Sequence, residues 1–319
     1  MAAADVALSC IAYRVGDRAE VASLPLPVAD RVRLLGPEGG LEHHRVAAQS
    51  CLDLALASAR ETLELARSEA PERRLDAVVV ASNSLAREQP LAWIARLSAA
   101  LEAGSPAFYF VNGGDCLNFQ LAARLCHGLV SASPSAAVLF VTVDRVADVC
   151  PGQYLAVHGA GINSDAAASC LFSSRTSRGF RLGGAFAYAQ DTSLLAAAPS
   201  NVFAQTMFLV KSVFRQIYEA HQLRPTDLGQ VLTNTHTNAV AEIVALAGRL
   251  PLERVYRGNI PVTAHCFAAD NLINLHAYAA THTESNQPLL LVGSGVHQWG
   301  GFLIRRCDGA RPNPGEHWP

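Results

Sequence analysis

The sequence predicts an α/β fold in which helices cover sheets, because amphipathic helical patterns alternate along the chain with short, continuous apolar segments. The apolar runs at residues 75–82 and 136–143 have the composition of strands that are buried on both faces. Half of the 319 residues are hydrophobic, which is enough to bury a substantial core. A chain of this size forms one large domain or two fused halves.

Helices and strands follow one another in a regular order. We expect helices at residues 45–67, 90–101, 203–221 and 239–250, with a further helix beginning near Cys116. We expect strands at residues 75–82, 108–111, 136–143, 231–236, 288–295 and 299–305, and a strand of small residues within 159–172. Because the second part repeats the rhythm of the first, we place a junction near residue 175, which gives an N-terminal half of residues 1–175 and a C-terminal half of residues 176–319.

Composition narrows the class of function. The formal net charge of −2 does not favour binding to nucleic acid or to an anionic membrane. No uncharged apolar run reaches the ~18 residues that span a bilayer, and the amino terminus has no cationic leader, so we expect a cytoplasmic protein. The eight cysteines are scattered without a Cys-x-x-Cys pair, and the histidines show no ligand spacing, so we expect no disulfide framework, no metal and no cofactor.

Cys116 is the candidate nucleophile. It follows an apolar strand and the pair Gly113 and Gly114, and it stands at the start of a helical pattern. The pattern rests on leucines at four-residue spacing: Leu117, Leu121, Leu125 and Leu129. Unpaired N–H groups at a helix start favour the reactive thiolate, whereas a neighbouring Asp115 is a possible N-cap but raises a thiol pKa. The alternative is a small buried cysteine without a chemical role.

Three further segments complete a pattern with Cys116. They are residues 164–168 (Ser-Asp-Ala-Ala-Ala), His236-Thr237-Asn238, and Gly293-Ser294-Gly295 followed by Trp299-Gly300. Together, in this order, they resemble the thiolase superfamily and its β-ketoacyl-acyl carrier protein synthase III branch over nearly the whole chain. The resemblance implies a thiolase-like fold, with two similar halves in a layered α-β-α-β-α architecture.

The sequence departs from this family at His265, where the condensing enzymes carry an asparagine. In the family, a histidine and this asparagine hold the thioester carbonyl during decarboxylation. A histidine can instead take a proton from an attacking hydroxyl, amine or thiol. Asp270, five residues later, is a candidate to orient the imidazole, although this requires non-helical backbone between them, since regular helix positions five apart diverge by ~140°. A silent loop histidine and a helix-capping aspartate are the competing interpretations.

The resemblance implies roles for other residues as well. His236 would donate to the thioester oxygen, with a structural strand-end histidine as the alternative. The backbone N–H of Cys116, together with one from Gly293, Ser294 or Gly295, would form the oxyanion hole, unless the glycines only make a tight turn.

The donor is expected to be an acyl carrier protein or coenzyme A. Residues 31–45 lack the tryptophan that packs on adenine in coenzyme A-dependent members of the family, which favours a carrier protein. Such carriers are acidic, so basic residues are candidate contacts, or else ordinary solvated positions. The candidates are Lys211, Arg215, Arg249, Arg254 and Arg257. The acceptor would be a small molecule or carrier-bound, and the resemblance implies a homodimer.

Three functions are therefore compared. Members with this histidine resemble a subgroup that transfers acyl groups in specialised metabolism, which predicts an acyltransferase using Cys116 and His265. The alternatives are a condensing enzyme that forms a C–C bond and a catalytically silent partner subunit. The acyl group, the acceptor and the pathway stay open.

Overall fold

The computed structural model of the protein describes residues 5–70, 74–84, 90–101, 105–156, 159–176, 178–196, 199–282 and 286–307. The strands are β1 (Ala7–Val15), β2 (Asp17–Glu20), β3 (His43–Val46), β4 (Ala77–Ala81), β5 (Ala107–Val111), β6 (Ala137–Asp144), β7 (Ala166–Ser173), β8 (Phe180–Gln190), β9 (Gln230–Leu232), β10 (Leu289–Ser294) and β11 (Gln298–Arg306). The helices are α1 (Val28–Leu35), α2 (Cys51–Glu69), α3 (Pro90–Leu101), α4 (Asn118–Ala132), α5 (Val146–Val149), α6 (Pro199–Ala220), α7 (Asn238–Gly248), α8 (Ile260–Thr263) and α9 (Asp270–Thr281).

Nine strands form one mixed sheet in the order β5-β4-β6-β7-β1-β8-β11-β10-β9, and β2 pairs with β3 separately. In the first part of the sheet β7 runs antiparallel to both of its neighbours, and in the second part β11 does the same. The order β4-β6-β7-β1 is thus repeated by β9-β10-β11-β8. The two parts join through only two residue pairs between β1 and β8, Ala7 with Arg181 and Leu8 with Phe180.

The layers follow from which helices touch which strands. Helices α4 and α9 contact strands from both parts of the sheet and therefore lie between them. Helix α2 packs on the outer face of β1, β6 and β7, and α6 packs on the outer face of β8 and β11 with α7 beside it. The result is the expected layered α-β-α-β-α architecture.

Side-chain alternation along the strands places residues in different cores. In β4, Val79 points into the central core with α4 and α9, whereas Val78 and Val80 point into the outer core with α2 and α3. Both faces of this strand are buried, because a parallel strand in a layered fold is covered on each side. The continuous apolar run at residues 75–82 therefore correctly predicted a strand that is buried on both faces.

Several sequence expectations differ from the structure. Residues 45–67 do not form one helix, because His43–Val46 pairs with Asp17–Glu20 and the side chain of Ser50 caps α2 by accepting the Asp53 N–H. Strands β1 and β8 were not predicted. The leucines that were expected to mark the core face of α4 are half-buried after Leu117, and the fully buried apolar positions are Phe119, Ala122, Ala123, Cys126 and Val130.

The junction at residue 175 falls between β7 and β8, and the division into two halves there stays a prediction. None of the eight cysteines, all of which lie within the described ranges, forms a disulfide. Within the described ranges, no helix has the length and apolar character needed to cross a membrane.

Candidate active site

Cys116 lies in a short 3-10 turn, Asp115–Leu117, that leads directly into α4. The chain reaches this turn through left-handed backbone at Gly113 (φ 79°) and Asp115 (φ 49°). Left-handed backbone is unfavourable for a residue with a side chain, so its presence next to the sulfur indicates a tightly specified loop. Cys116 as a residue is half-buried.

Neighbouring side chains fix this turn. Asn118 accepts the Gly114 N–H at 2.9 Å and donates to the side-chain oxygen of Asn83 at 2.9 Å. Asp115 is not the N-cap considered from the sequence, because it lies inside the turn and its carboxylate accepts the N–H of Val296 at 3.3 Å.

His265 follows Ala264, whose backbone (φ 52°, ψ −153°) is rare for a residue with a side chain. Two backbone hydrogen bonds hold His265 in place. The N–H of His265 donates to the carbonyl of Ile162 at 2.8 Å, and its carbonyl accepts the Ser164 N–H at 2.8 Å. The residues 164–168 that carried part of the resemblance thus anchor the candidate base.

The structure brings Cys116, His265 and Asp270 into one line of contacts. The Sγ of Cys116 is 2.9 Å from Nε2 of His265, and Nδ1 of His265 is 2.6 Å from Oδ2 of Asp270. Asp270 is fully buried, and it also accepts the N–H groups of Cys266 at 2.9 Å and Thr235 at 2.8 Å. A carboxylate so surrounded by donors fixes the imidazole with a proton on Nδ1 and leaves Nε2 for the sulfur.

The five-residue spacing works because the backbone between the two residues is not a regular helix. Phe267 has a left-handed φ of 52°, and Phe267–Ala269 form a 3-10 turn before α9 begins at Asp270. The reversal brings the Asp270 carboxylate back to the imidazole of His265. This is the non-helical connection that the sequence argument required.

Charges in the site shift the titration of the pair. Burial lowers the pKa of His265, but the sulfur of Cys116 and the carboxylate of Asp270 outweigh it and raise that pKa to about 10. Burial raises the pKa of the Cys116 thiol, and His265 opposes this effect. Asp270 therefore makes His265 a stronger base than a free imidazole.

His236 lies against His265, with ring centroids 4.3 Å apart and a 34° angle between the rings. Burial and the charge of His265 hold the pKa of His236 well below its usual value, which favours the neutral ring. Its Nε2 is 3.2 Å from the hydroxyl of Ser294, and its Nδ1 is buried without a partner among the described residues. In this arrangement Nε2 faces Ser294, so the expected donation to a thioester oxygen is not what this nitrogen does here.

The N–H groups that are predicted to form the oxyanion hole differ in their hydrogen-bond partners. The N–H of Ser294 donates to the side chain of Asn234 at 2.8 Å, and the N–H of Gly295 donates to the carbonyl of Gln298 at 2.7 Å. Gly293 pairs with Gly300 across β10 and β11. Two of the three expected N–H donors are therefore used within the protein.

The backbone N–H of Cys116 differs from those of Ser294 and Gly295, because it has no acceptor among the described residues. This N–H therefore stays available in the described part of the chain, and its role as an oxyanion donor stays a prediction.

The basic candidates do not share one environment. Arg254 is half-buried, and its Nη1 donates to the carbonyls of Leu228 and Gly229 and to the side chain of Gln287. These bonds tie the chain around β9 to the start of β10. It is therefore a structural residue and not a free docking contact. The exposed candidates are Lys211, Arg215, Arg249 and Arg257.

Sequence reasoning missed Asn234 and Asn118, which hold the two sides of the site. Asn234 is only 1% exposed and Asn118 is fully buried. A buried amide must satisfy both its oxygen and its nitrogen, so asparagine at the end of an apolar strand or at a helix start was an available signal.

No protein-family model matches the chain, and no curated protein sequence matches it. Solved structures do match. The 3-oxoacyl-[acyl-carrier-protein] synthase III from Aquifex aeolicus VF5 superimposes with a TM-score of 0.78 at 15% identity, covering 94% of this chain and 99% of that one. The chain has a thiolase-like fold.

Two other structures extend this thiolase-like similarity. The synthase III from Pseudomonas aeruginosa PAO1 has a TM-score of 0.77 at 19% identity over 94% of this chain and 98% of its own. A protein described as "ChlB3 [Aceyltransferase]" has a TM-score of 0.77 at 15% identity over 96% and 99%. Identities this low establish the fold, so the chemistry must be argued from the site itself.

Proposed function

We propose that this thiolase-like protein is an acyltransferase of specialised metabolism that works in two half-reactions. The Cys116 thiolate attacks the carbonyl of a donor thioester and the bond to the donor sulfur breaks. The donor leaves as a thiol with the proton that the His265 imidazolium gives up from Nε2. A hydroxyl, amine or thiol acceptor then attacks the acyl-cysteine, His265 takes the acceptor's proton on Nε2, and the Cys116 thiolate leaves.

The contact line from Cys116 through His265 to Asp270 is the observation that carries this proposal. The distances of 2.9 Å and 2.6 Å place a base on the nucleophile and a buried carboxylate on the base. An imidazole that is stabilised as imidazolium is suited to accept a proton from an incoming acceptor while the acyl group sits on sulfur.

The same geometry argues against the decarboxylative alternative. The resemblance implies that condensing enzymes use two side-chain N–H donors on the thioester carbonyl. Once Cys116 is acylated, a neutral His265 whose Nδ1–H is bonded to Asp270 carries no hydrogen on Nε2, and Nε2 of His236 faces Ser294. Neither of these two imidazoles then offers an N–H to an enolate oxygen, which argues against the donors on which that reaction depends.

The comparisons support a class of acyl donor. The similar structures include synthases named for acyl carrier protein, and one protein described as "ChlB3 [Aceyltransferase]". We infer an acyl carrier protein or coenzyme A thioester as donor. For a carrier, the exposed side chains of Lys211, Arg215, Arg249 and Arg257 supply charge of the sign that an acidic partner needs.

A homodimer is also proposed, through β5 and α4. Strand β5 is the last strand of the sheet, and its side chains are exposed or half-buried although four of the five are apolar and large: Phe108, Tyr109, Phe110 and Val111. Leu121, Leu125 and Leu129 on α4 are likewise half-buried. An unpaired apolar strand edge is stabilised by pairing with a second strand, here that of another copy. A cytoplasmic location stays a prediction.

Intact-protein mass spectrometry after incubation with acetyl, longer acyl and malonyl carrier-protein thioesters tests the proposal. We expect an acyl adduct on Cys116, its absence in Cys116→Ala, and its discharge by an added amine without release of carbon dioxide. A wild-type protein that forms no adduct would support the silent-subunit function. Carbon dioxide release from the malonyl donor with a β-ketoacyl product would support condensation instead.

His265→Asn separates the two enzymatic schemes further. We expect this variant to lose discharge of the acyl group to an amine, because asparagine cannot accept the proton. Asp227→Asn is a control that also introduces an asparagine, since the half-buried carboxylate of Asp227 pairs with the exposed Arg224 outside the contact line. Equal discharge rates in His265→Asn and wild type would exclude His265 as the base.

A further inference from the structure

The orientation of the Asn234 amide is fixed by two backbone groups. Its nitrogen donates to the carbonyl of Phe267 at 3.0 Å, and its oxygen accepts the N–H of Ser294 at 2.8 Å. A flipped amide would place its nitrogen against the N–H and its oxygen against the carbonyl, so both contacts would become repulsive. The side-chain oxygen therefore faces Ser294.

This orientation decides where the Ser294 hydroxyl hydrogen goes. The hydroxyl oxygen is 3.1 Å from the Asn234 oxygen, which can only accept, so Ser294 donates there. A hydroxyl has one hydrogen, and its contact with Nε2 of His236 at 3.2 Å must then be one in which Ser294 accepts. Nε2 of His236 consequently carries the hydrogen.

We propose that Ser294 and Asn234 are positioning residues that hold His236 as the neutral Nε2–H tautomer, so that its Nδ1 is a hydrogen-bond acceptor in the active site. The chemical meaning of this assignment rests on the proposed function, whereas the tautomer itself does not. A neutral ring is consistent with the lowered pKa of His236, which burial and the neighbouring His265 both cause.

The Nε2–H tautomer determines which groups His236 can bind through Nδ1. A bare nitrogen repels the oxygen of a thioester or an enolate and attracts an O–H or N–H group. Nδ1 is buried, has no partner among the described residues, and belongs to a ring 4.3 Å from that of His265. It therefore suits a hydrogen on the attacking acceptor, beside the hydrogen that His265 removes, and this favours neutral amines and hydroxyls over carbon nucleophiles.

A substitution at Gly161 can test the role of this nitrogen. A Cβ at Gly161 would lie 3.7 Å from Nδ1 of His236 and 3.8 Å from Cβ of His265, which are ordinary contact distances, and the backbone there is not left-handed. Gly161→Ser would thus bring a hydroxyl within hydrogen-bond reach of Nδ1. Gly161→Ala adds the same carbon without the hydroxyl and is the matched control.

Nitrogen-15 NMR of the full chain labelled at histidine tests the tautomer without any substrate, with the signals of His236 assigned through His236→Gln. At neutral pH we expect Nε2 to carry the hydrogen and Nδ1 to be unprotonated. Ser294→Ala should shift the tautomer ratio by about fivefold or more, the equivalent of one hydrogen bond, and Ser294→Thr should restore it because it keeps the hydroxyl. If His236 of the wild type is protonated at Nδ1, or if the tautomer ratio in Ser294→Ala equals that of wild type, the proposal that Ser294 and Asn234 hold the tautomer is overturned.

The acceptor role has its own measurement. Cys116 is first acetylated with p-nitrophenyl acetate, and release of the acetyl group to hydroxylamine is then measured. We expect release to be at least about fivefold slower in Gly161→Ser than in Gly161→Ala, because the serine hydroxyl donates a hydrogen bond to Nδ1. Equal rates in the two variants overturn the role of Nδ1. If Cys116 takes no acetyl group at all, the proposed function fails while the NMR result still decides the tautomer.

Discussion

Replacing Asp270 by asparagine removes the charge that stabilises the imidazolium beside Cys116. The carboxylate is bonded to His265 at 2.6 Å, and His265 contacts the sulfur at 2.9 Å. Adding the width of the ring, the carboxylate charge lies roughly 4 Å from the imidazolium charge and roughly 8 Å from the sulfur. At an effective dielectric constant of about 20, these separations correspond to about 4 kcal/mol of attraction and about 2 kcal/mol of repulsion.

The difference of about 2 kcal/mol favours the thiolate–imidazolium pair over the neutral pair, which is about thirtyfold in population. We therefore expect iodoacetamide to alkylate Cys116 about thirtyfold more slowly at pH 7 in Asp270→Asn, since the thiolate is the reacting form. Peptide mass spectrometry follows the reaction, and Cys116→Ala identifies the signal. Asp227→Asn, outside the contact line, should react like wild type. An Asp270→Asn rate within about twofold of wild type would refute the electrostatic reasoning.

Three further predictions concern stability, each measured by urea unfolding. Because the pKa of His265 is raised to about 10, above the value near 6.5 of an unfolded chain, its stabilising contribution is complete below pH 6.5 and is lost as the pH rises through about 10. The free energy of unfolding should fall over that window, and His265→Gln should remove this part of the fall. Gly293→Ala should destabilise by about 1–3 kcal/mol, because its Cβ would collide with the buried Gln120, whereas Gly128→Ala, with open space in α4, should stabilise by about 0.5–1 kcal/mol. Ser50→Ala should cost about 1 kcal/mol, because the α2 N-cap is lost, and an unchanged midpoint would contradict that cap.

The parts of the fold that could be predicted are those in which local pattern and tertiary setting agree. Helix α3 was expected at residues 90–101 and spans Pro90–Leu101, because its apolar period matches its packing. Strand β1 was missed because left-handed Cys10 and a register shift between Ser9 and Ala12 break its alternation. Strand β8 was missed because Gly183 and Gly184 make it look like a turn, although it lies between β1 and β11.

The site divides in the same way. Cys116, His265 and Asp270 could be named from the sequence because each stood out in residue type and position. Their contacts could not be derived, since they depend on the left-handed backbone at Phe267, which no residue type signals. The partners of the predicted oxyanion donors divide in a related way: the Ser294 N–H bonds to Asn234, which is far away in the sequence, whereas the Gly295 N–H bonds to Gln298 within the tight turn between β10 and β11 that the glycines allowed.

The central helical layer has a consequence for how the molecule loses its structure. Helix α4 begins two residues after Cys116, and α9 begins at Asp270, so both ends of the contact line are attached to the layer that is enclosed on each side by strands. Segments enclosed in this way exchange their amide hydrogens only when the whole domain opens. As the denaturant concentration rises, the peripheral helices should therefore loosen while the reactivity of the Cys116 sulfur persists. Inactivation should then coincide with global unfolding rather than precede it.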